Sequence, residues 1–192
     1  MLDNKLILIT GGTGSFGKKF IEMALDRYKP KKLIVYSRDE LKQYEMQQRW
    51  PDDGQMRYFI GDVRDYHRLK MAMTGVNIVV HAAALKHVSL CEDYPIEAVE
   101  TNVIGTQNII DLSLEFGVDS VLTISTDKAA NPSCVMGATK YIAERVTIKA
   151  NNYGIDTKCF CVRFGNVLGA LLGSERQRGE PRGHLLRYSN PG

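Results

Sequence analysis

Residues 5–17 read KLILITGGTGSFG, a short apolar run that leads directly into a cluster of glycines. Gly11, Gly14 and Gly17 have the spacing GxxGxxG between a predicted strand and a predicted amphipathic helix. Glycine permits a tight turn and a close backbone approach to a pyrophosphate, whose charge lies at the positive amino terminus of the helix. This context predicts a dinucleotide site. Cofactor contacts are expected from Thr10, Gly11, Thr13, Gly14, Ser15, Phe16 and Gly17.

The same alternation of short β-branched runs and longer amphipathic segments continues along the chain. It predicts strands at 5–10, 32–37, 56–60, 77–80, 120–125 and 157–163. It predicts helices at 15–28, 38–50, 66–73, 96–116 and 135–153. Because strands that alternate with helices form buried parallel sheets, we predict an α/β fold, a doubly wound Rossmann domain over residues 1–168.

Residues 169–192 have a different character, with glycines and prolines that interrupt any period and four arginines but no lysine. We expect an irregular tail here. It fits a surface loop, the beginning of a second domain, or the end of a truncated or frameshifted product.

Composition limits the classes of partner. The chain has 192 residues, 44% of them hydrophobic, and a formal net charge of +3. This composition excludes a disordered chain and calls for neither nucleic acid nor membrane, whereas anionic small molecules fit. The apolar run at 5–10 is too short to span a bilayer and has no signal-peptide pattern, so we expect a cytoplasmic protein. The four cysteines form no CxxC pair, and no metal site is predicted.

The end of the second strand bears on the choice of cofactor. Ser37 and Arg38 stand where an NAD-binding domain usually has an acidic residue for the ribose diol. Arginine there favours a 2′-phosphate and therefore NADP, with NAD as the alternative, and Lys42 is a second candidate phosphate partner. In the competing interpretation, Ser37 and Glu40 form a capping box and Arg38 is merely solvated.

The third and fourth strands end in further candidate cofactor contacts. Asp62, followed by Val63, could meet the adenine amino group or could serve only as a turn or cap. Ala82 and Ala83 follow the fourth strand, where small residues let the backbone pass close to a cofactor ribose. Plain tight packing is the alternative for this alanine run.

Taken together, these motifs resemble the extended short-chain dehydrogenases, specifically the capsule- and flagellar-type UDP-N-acetylglucosamine 4,6-dehydratases. The resemblance rests on TGGTGSFG (10–17), SRDE (37–40), GDVR (61–64), HAAALKHV (81–88), STDKA (125–129), VMGATK (135–140) and RFGNV (163–167). It implies removal of hydride from C4 of UDP-N-acetylglucosamine, loss of water across C5 and C6, and return of hydride to C6, usually with inversion at C5. It also implies a homo-oligomer in full-length form and a smaller uridine-diphosphate-binding domain, which is largely missing here.

The resemblance also implies a catalytic set. The superfamily usually has a tyrosine four residues before its lysine, but here Met136 precedes Lys140, and a thioether cannot take a proton. By resemblance, Thr126 contacts the C4 oxygen and Lys140 holds the nicotinamide ribose. Lys128 is then the C5 base and Asp127 the acid, which requires a lowered pKa for Lys128 and a raised pKa for Asp127. A salt-bridged loop is the alternative for this pair.

Substrate contacts are expected at Lys86, His87, Arg163 and Asn166, although a lone histidine is more often packed or solvated. Asn102 fits either a structural, water-binding role or simple packing. Three functional hypotheses remain: a 4,6-dehydratase, a sugar-nucleotide 4-epimerase, and a cofactor-binding fragment without turnover. The Thr126-Asp127-Lys128 cluster favours the first, because C4 oxidation and hydride return alone do not need it.

Overall fold

The structure is a computed structural model and describes residues 1–153 and 156–165. Its centre is a six-stranded sheet in the order β3-β2-β1-β4-β5-β6, in which every pairing is parallel. The strands are β1 (Leu6–Thr10), β2 (Lys32–Ser37), β3 (Met56–Ile60), β4 (Ile78–His81), β5 (Ser120–Thr126) and β6 (Lys158–Phe164). This strand order is that of a doubly wound dinucleotide-binding sheet, which confirms the predicted fold class.

Seven α-helices connect the strands within the described residues. They are α1 (Ser15–Arg27), α2 (Glu40–Arg49), α3 (Tyr66–Met73), α4 (Val88–Asp93), α5 (Pro95–Val99), α6 (Gly105–Glu115) and α7 (Val135–Lys149). A π-helical turn, Glu100–Ile104, joins α5 to α6, and short 3₁₀ turns lie at Asp127–Ala129 and Ala150–Asn152.

Both faces of the sheet are buried, because successive side chains of a strand point to opposite faces. Ile7 and Ile9 of β1 pack in one hydrophobic cluster with Ile21 of α1. Leu8, between them, packs in a second cluster with Ile109 of α6. All five side chains are fully buried. A sheet covered on both sides leaves its strand ends as the accessible edge.

Three predicted helices differ from the structure. The segment predicted as one helix at 96–116 contains α5, the π turn and α6, and helix α4 before it was not predicted. Helix α2 begins at Glu40, since the N-cap is Asp39, whose side chain accepts from the Lys42 amide. The capping box predicted for Ser37 and Glu40 is therefore wrong. The helix predicted at 135–153 ends as an α-helix at Lys149.

The predicted boundary between residues 168 and 169, and the tail after it, lie outside the described residues. Across 1–153 and 156–165, no helix has both the length and the hydropathy that a bilayer span needs.

Candidate active site

The glycine turn lies at the carboxyl ends of β1 and β4, where the order of strands reverses. Gly11 has a positive φ of 66°, a backbone conformation that side chains disfavour. A Cβ at Gly11 would lie 2.7 Å from the Ala83 nitrogen and 2.8 Å from the Ala82 carbonyl carbon. Glycine there lets the two strand ends pack backbone against backbone, at the position where open α/β sheets bind ligands.

The rest of the predicted cofactor loop surrounds the amino terminus of α1. A Cβ at Gly17 would collide with the backbone of Gly12, so glycine is required for this close turn. The N-cap Gly14 offers no side chain, and the first turn contains no acidic residue. Gly14 and Ser15 are exposed, and Phe16 is half-buried. A helix amino terminus of this kind suits an anion, so these residues fit a pyrophosphate.

Thr13 is nearly buried and its hydroxyl lies 3.0 Å from that of Ser37 at the end of β2. The next residue, Arg38, is 54% exposed along its side chain and pairs with Asp62 at 3.3 Å. Lys42 donates to Asp39 at 2.6 Å. Exposed pairs of this kind contribute about 0–1 kcal/mol. Both cations can therefore exchange their carboxylate partner for a phosphate at small cost.

Asp62 lies at the end of β3, and three of its contacts come from Arg64, through the amide, Nε and Nη2. Despite partial burial, the hydrogen bonds and charge of Arg64 hold the pKa of Asp62 below its usual range. The neighbouring Val63 is buried against Gly105 of α6. Asp62 is thus an ionised carboxylate at the edge of the sheet, and Val63 is a packing residue.

Three further predicted cofactor contacts lie at the ends of β1 and β4. Thr10 is fully buried, and its hydroxyl lies 2.7 Å from His81 Nδ1 and accepts from the Ala83 amide. The side chain of Thr10 therefore acts on the backbone of the alanine run rather than on a ligand. Ala82 and Ala83 are half-buried.

Thr126 is the last residue of β5, and Asp127 and Lys128 begin the 3₁₀ turn that follows it. Thr126 donates to Asp127 Oδ1 at 2.8 Å, and the Lys128 amide donates to the same oxygen at 2.9 Å. Lys128 Nζ lies 3.5 Å from that carboxylate, and both side chains are exposed. The hydrogen bond from Thr126 lowers the pKa of Asp127. This shift is opposite to the one that the predicted acid role requires.

Helix α7 packs directly on this turn. A Cβ at Gly137 would lie 2.6 Å from the Lys128 carbonyl oxygen, so only glycine permits this approach. Met136 is buried beside Cys91 and Ala98. Lys140 is 95% buried and its ammonium donates to the Ile124 carbonyl at 2.6 Å. Burial lowers the pKa of Lys140 to about 8. Lys140 is thus an amine with a perturbed pKa near residues 126–128, and perturbed pKa values are a common mark of a functional site.

The predicted substrate contacts are placed differently from one another. Lys86 and His87 are exposed, and His87 is the N-cap position of α4. Arg163 forms a bidentate pair with Glu144, with Nε to Oε1 at 2.8 Å and Nη2 to Oε2 at 2.6 Å. The hydrogen bonds from Arg163 lower the pKa of Glu144. Asn166 lies outside the described residues.

Several residues outside the predicted catalytic and binding residues hold this site together. Asn102 is buried, and its side chain bonds the Leu85 amide and carbonyl and Thr139 of α7. Glu92 accepts from the Val135 amide at 2.7 Å and so caps α7 from outside. The sequence prediction gave no role to the buried His81 or to Glu144, the partner of Arg163. The available signals were a histidine that ends an apolar strand and a glutamate four residues after Lys140.

Sequence comparison shows to which family this chain belongs. The family described as Polysaccharide biosynthesis protein matches residues 7–174, which is most of the sequence. The chain belongs to this family.

The chain is similar to several curated proteins. One of them is a UDP-N-acetylglucosamine 4,6-dehydratase (inverting) from Campylobacter jejuni subsp. jejuni serotype O:23/36 (strain 81-176). It is 50% identical over 172 residues, which cover 88% of this chain and 51% of the relative. A UDP-glucose 4-epimerase from Rickettsia rickettsii (strain Sheila Smith) is 41% identical over 175 residues, again 88% and 51%. The chain spans about half the length of these curated relatives.

Solved structures agree with this placement. The X-ray structure of Pen from Bacillus thuringiensis has a TM-score of 0.84 and 39% identity, and the match covers 93% of this chain and 57% of that one. DesIV, a dTDP-glucose 4,6-dehydratase from Streptomyces venezuelae with NAD and TYD bound, has a TM-score of 0.71 and 26% identity, covering 82% and 55%.

Proposed function

We propose that this chain carries the cofactor site and the proton-transfer residues of a UDP-N-acetylglucosamine 4,6-dehydratase that inverts C5. One observation carries the proposal. The exposed Thr126-Asp127-Lys128 turn lies at the carboxyl end of β5, in the sheet whose other strand ends form the dinucleotide cradle, and helix α7 with buried Lys140 packs against it. The 50% identity to the Campylobacter dehydratase supports the same substrate.

The cradle fits a nicotinamide dinucleotide. Glycine at positions 11 and 17 avoids Cβ atoms that would collide with the backbone forming the cradle, and the uncapped start of α1 suits a pyrophosphate. When bound, the cofactor would accept hydride from C4 of the sugar and return it to C6. The protein's part is to hold the two ligands together and to move the protons.

We propose NADP rather than NAD, because Arg38 follows β2 where NAD-binding domains usually have an acidic residue. Arg38 and Lys42 now pair with Asp62 and Asp39, and a 2′-phosphate would replace those partners. A charge-assisted hydrogen bond contributes about 1.5–3 kcal/mol, which is about 10- to 150-fold in affinity. Arg38→Ala should weaken NADP binding by that factor in calorimetry and leave NAD binding within about twofold. Equal loss for both cofactors would contradict the proposal.

The proton steps fall to residues around the turn. Thr126 is the proposed contact to the C4 oxygen, and the nearby charge of Lys140 would stabilise negative charge that develops on that oxygen. Lys128 is the proposed base at C5 and Asp127 the proposed acid at the C6 hydroxyl. Because the pKa of free Asp127 is lowered, this acid role requires bound substrate to displace the hydrogen bond from Thr126 and exclude water, which raises a carboxyl pKa.

Met136 takes no part in proton transfer in this proposal. Its thioether is buried against Cys91 and Ala98, and Glu92 of the same helix α4 caps α7. Met136 therefore helps to fix the segment that carries Lys86 and His87, which together with Arg163 and Asn166 are the proposed contacts to the UDP-sugar.

We also propose that the protein assembles as a homo-oligomer. Helix α7 exposes Tyr141, Ile142 and Ile148 to between 42% and 45%, more apolar surface than one solvated helix needs. Ile148→Glu should lower the mass measured by light scattering at equal concentration. A monomeric wild-type chain would contradict this proposal.

A 4-epimerase is the second candidate, favoured by the 41% identity to the Rickettsia enzyme. Mass spectrometry of UDP-N-acetylglucosamine incubated with the chain and NADP separates the two. Loss of one water, abolished by Lys128→Met and kept by Lys158→Met on exposed β6, is the expected result. A product of unchanged mass whose proton NMR spectrum shows an altered C4 configuration would favour the epimerase. No conversion, with cofactor binding intact, would contradict dehydratase activity in this chain.

A further inference from the structure

A buried chain of hydrogen bonds runs through His81, a residue to which the proposed mechanism gives no part. Thr10, His81 and Thr106 are fully buried, and Asn102 is 1% exposed. His81 Nδ1 lies 2.7 Å from the Thr10 hydroxyl, and Nε2 lies 3.0 Å from the Thr106 hydroxyl. These hydrogen bonds thus join the ends of β1 and β4 to the π turn and α6.

The donors and acceptors in this series of hydrogen bonds can be assigned from the Thr106 end. The Thr106 hydroxyl donates to the Asn102 carbonyl at 2.6 Å, so it can only accept from His81. Nε2 of His81 therefore carries a hydrogen. The Thr10 hydroxyl accepts from the Ala83 amide at 3.2 Å and donates its own hydrogen to Nδ1. This arrangement is that of the neutral imidazole with hydrogen on Nε2, because a protonated Nδ1 would instead donate to the Thr10 hydroxyl.

The surroundings hold His81 in this neutral form. Complete burial, and to a smaller extent the positive charge of Lys140, lower the pKa of His81 to about 3. His81 therefore stays uncharged at every pH at which a sugar nucleotide would be bound.

The two ends of the chain reach two different parts of the candidate site. At one end, the Ala83 amide belongs to the backbone packed against Gly11 in the dinucleotide cradle. At the other, the Asn102 side chain holds the Leu85 backbone, immediately before Lys86, and also Thr139, immediately before Lys140. One imidazole thus lies between the cofactor side and the substrate side.

We propose that His81 is a positioning residue that sets the cofactor cradle through Thr10 and the Leu85–Lys86 backbone through Thr106 and Asn102. The coupling to ligands rests on the proposed function, whereas the coupling between the two backbone segments does not.

Two substitutions cut the two arms separately. An amide in His81→Gln reaches the position of Nε2 and keeps the Thr106 arm, whereas the amide of His81→Asn reaches the position of Nδ1 and keeps the Thr10 arm. Amide hydrogen exchange should accelerate about tenfold at Ala83 in His81→Gln and at Leu85 in His81→Asn, since each loses about one hydrogen bond's support. NADP should bind about tenfold more weakly to His81→Gln and within about twofold of wild type to His81→Asn.

Thr123→Val is the matched control. Thr123 is fully buried in the same sheet and its hydroxyl lies 3.0 Å from that of Thr147, which still donates to Ala143 after the change. It should lower stability without changing either amide or NADP affinity. The ¹⁵N spectrum of the wild-type imidazole provides a readout independent of ligands and should show hydrogen on Nε2 down to pH 5.

The proposal would be overturned if His81→Gln and His81→Asn gave the same exchange rates at Ala83 and the same rates at Leu85. It would also be overturned if the wild-type imidazole were protonated on both nitrogens at pH 5 or carried its hydrogen on Nδ1. A wild-type chain that binds no nicotinamide dinucleotide would instead refute the proposed function, while the exchange and imidazole spectra would still decide the role of His81.

Discussion

The glycine turn provides a prediction whose size follows from the structure. Gly11→Ala places a methyl group on a residue with φ of 66°, and the left-handed backbone alone costs a side-chain-bearing residue about 1–2 kcal/mol. The methyl carbon would also lie 2.7 Å from the Ala83 nitrogen, whereas ordinary contact begins at 3.4 Å. Backbone must therefore move by about 0.7 Å, and such overpacking costs about 1–3 kcal/mol more.

Gly117→Ala supplies the control, because Gly117 has nearly the same φ of 61° and nothing lies within 4 Å of its Cβ position. Urea unfolding should show a loss of about 1–2 kcal/mol for Gly117→Ala and about 2–5 kcal/mol for Gly11→Ala. NADP affinity should fall at least tenfold only in Gly11→Ala. Equal losses of stability in the two variants, or unchanged affinity in Gly11→Ala, would refute the account of the turn.

Three further predictions concern α7, the helix that packs against residues 126–128. Burial lowers the pKa of Lys140 to about 8, so the unfolded chain binds more protons than the folded chain between about pH 8 and 10.5, and stability rises with pH there. Relative to Lys140→Met, the free energy of unfolding of the wild-type chain should rise by about 2 kcal/mol from pH 7 to 9.5. The same pH dependence of unfolding in both proteins would contradict this. Met136→Ala should lose about 2–4 kcal/mol in urea unfolding, whereas Met136→Leu should lose under about 1.5 kcal/mol, and similar losses would argue against a packing role. Glu144→Gln should leave NADP affinity unchanged but weaken UDP-sugar binding to NADP-loaded protein about tenfold, because Arg163 loses its ionic partner; unchanged sugar binding would remove Arg163 from the site.

The sheet could be predicted from the sequence because its signals are local. Five-residue apolar runs and the GxxGxxG spacing do not depend on distant residues, and the structure places the predicted strands within a residue or two of their predicted ends. Helix α4 was missed because six residues carry almost no period, and because Glu92 and Cys91 are held by α7 rather than by their own helix. The π turn at Glu100–Ile104 contains Asn102, whose side chain contacts Leu85 and Thr139, both distant in sequence.

Residues of the candidate site could be predicted from the sequence only where a single residue type meets the local structural requirement. Glycine at positions 11 and 17 is required by contacts that the structure contains. Arg38 and Lys42 were predicted as phosphate partners. The ion pair of Lys42 with Asp39 is local, three residues apart, whereas the pair of Arg38 with Asp62 comes from tertiary geometry. Thr10 illustrates the limit most clearly. Its place in the motif indicated a ligand contact, whereas its burial and its bond to His81, 71 positions away, assign it to the support of the cradle.

The central claim is that the edge formed by the glycine turn and the Ala82–Ala83 backbone holds a nicotinamide dinucleotide. The most direct test is a backbone amide NMR titration of the chain with NADP. The account predicts shifts concentrated at Gly11, Gly14, Ser15 and Ala83, with Gly75 and Gly117 unmoved. Absence of binding, or shifts centred on the distant face of α6 and α7 around Gln107 and Lys149, would contradict it.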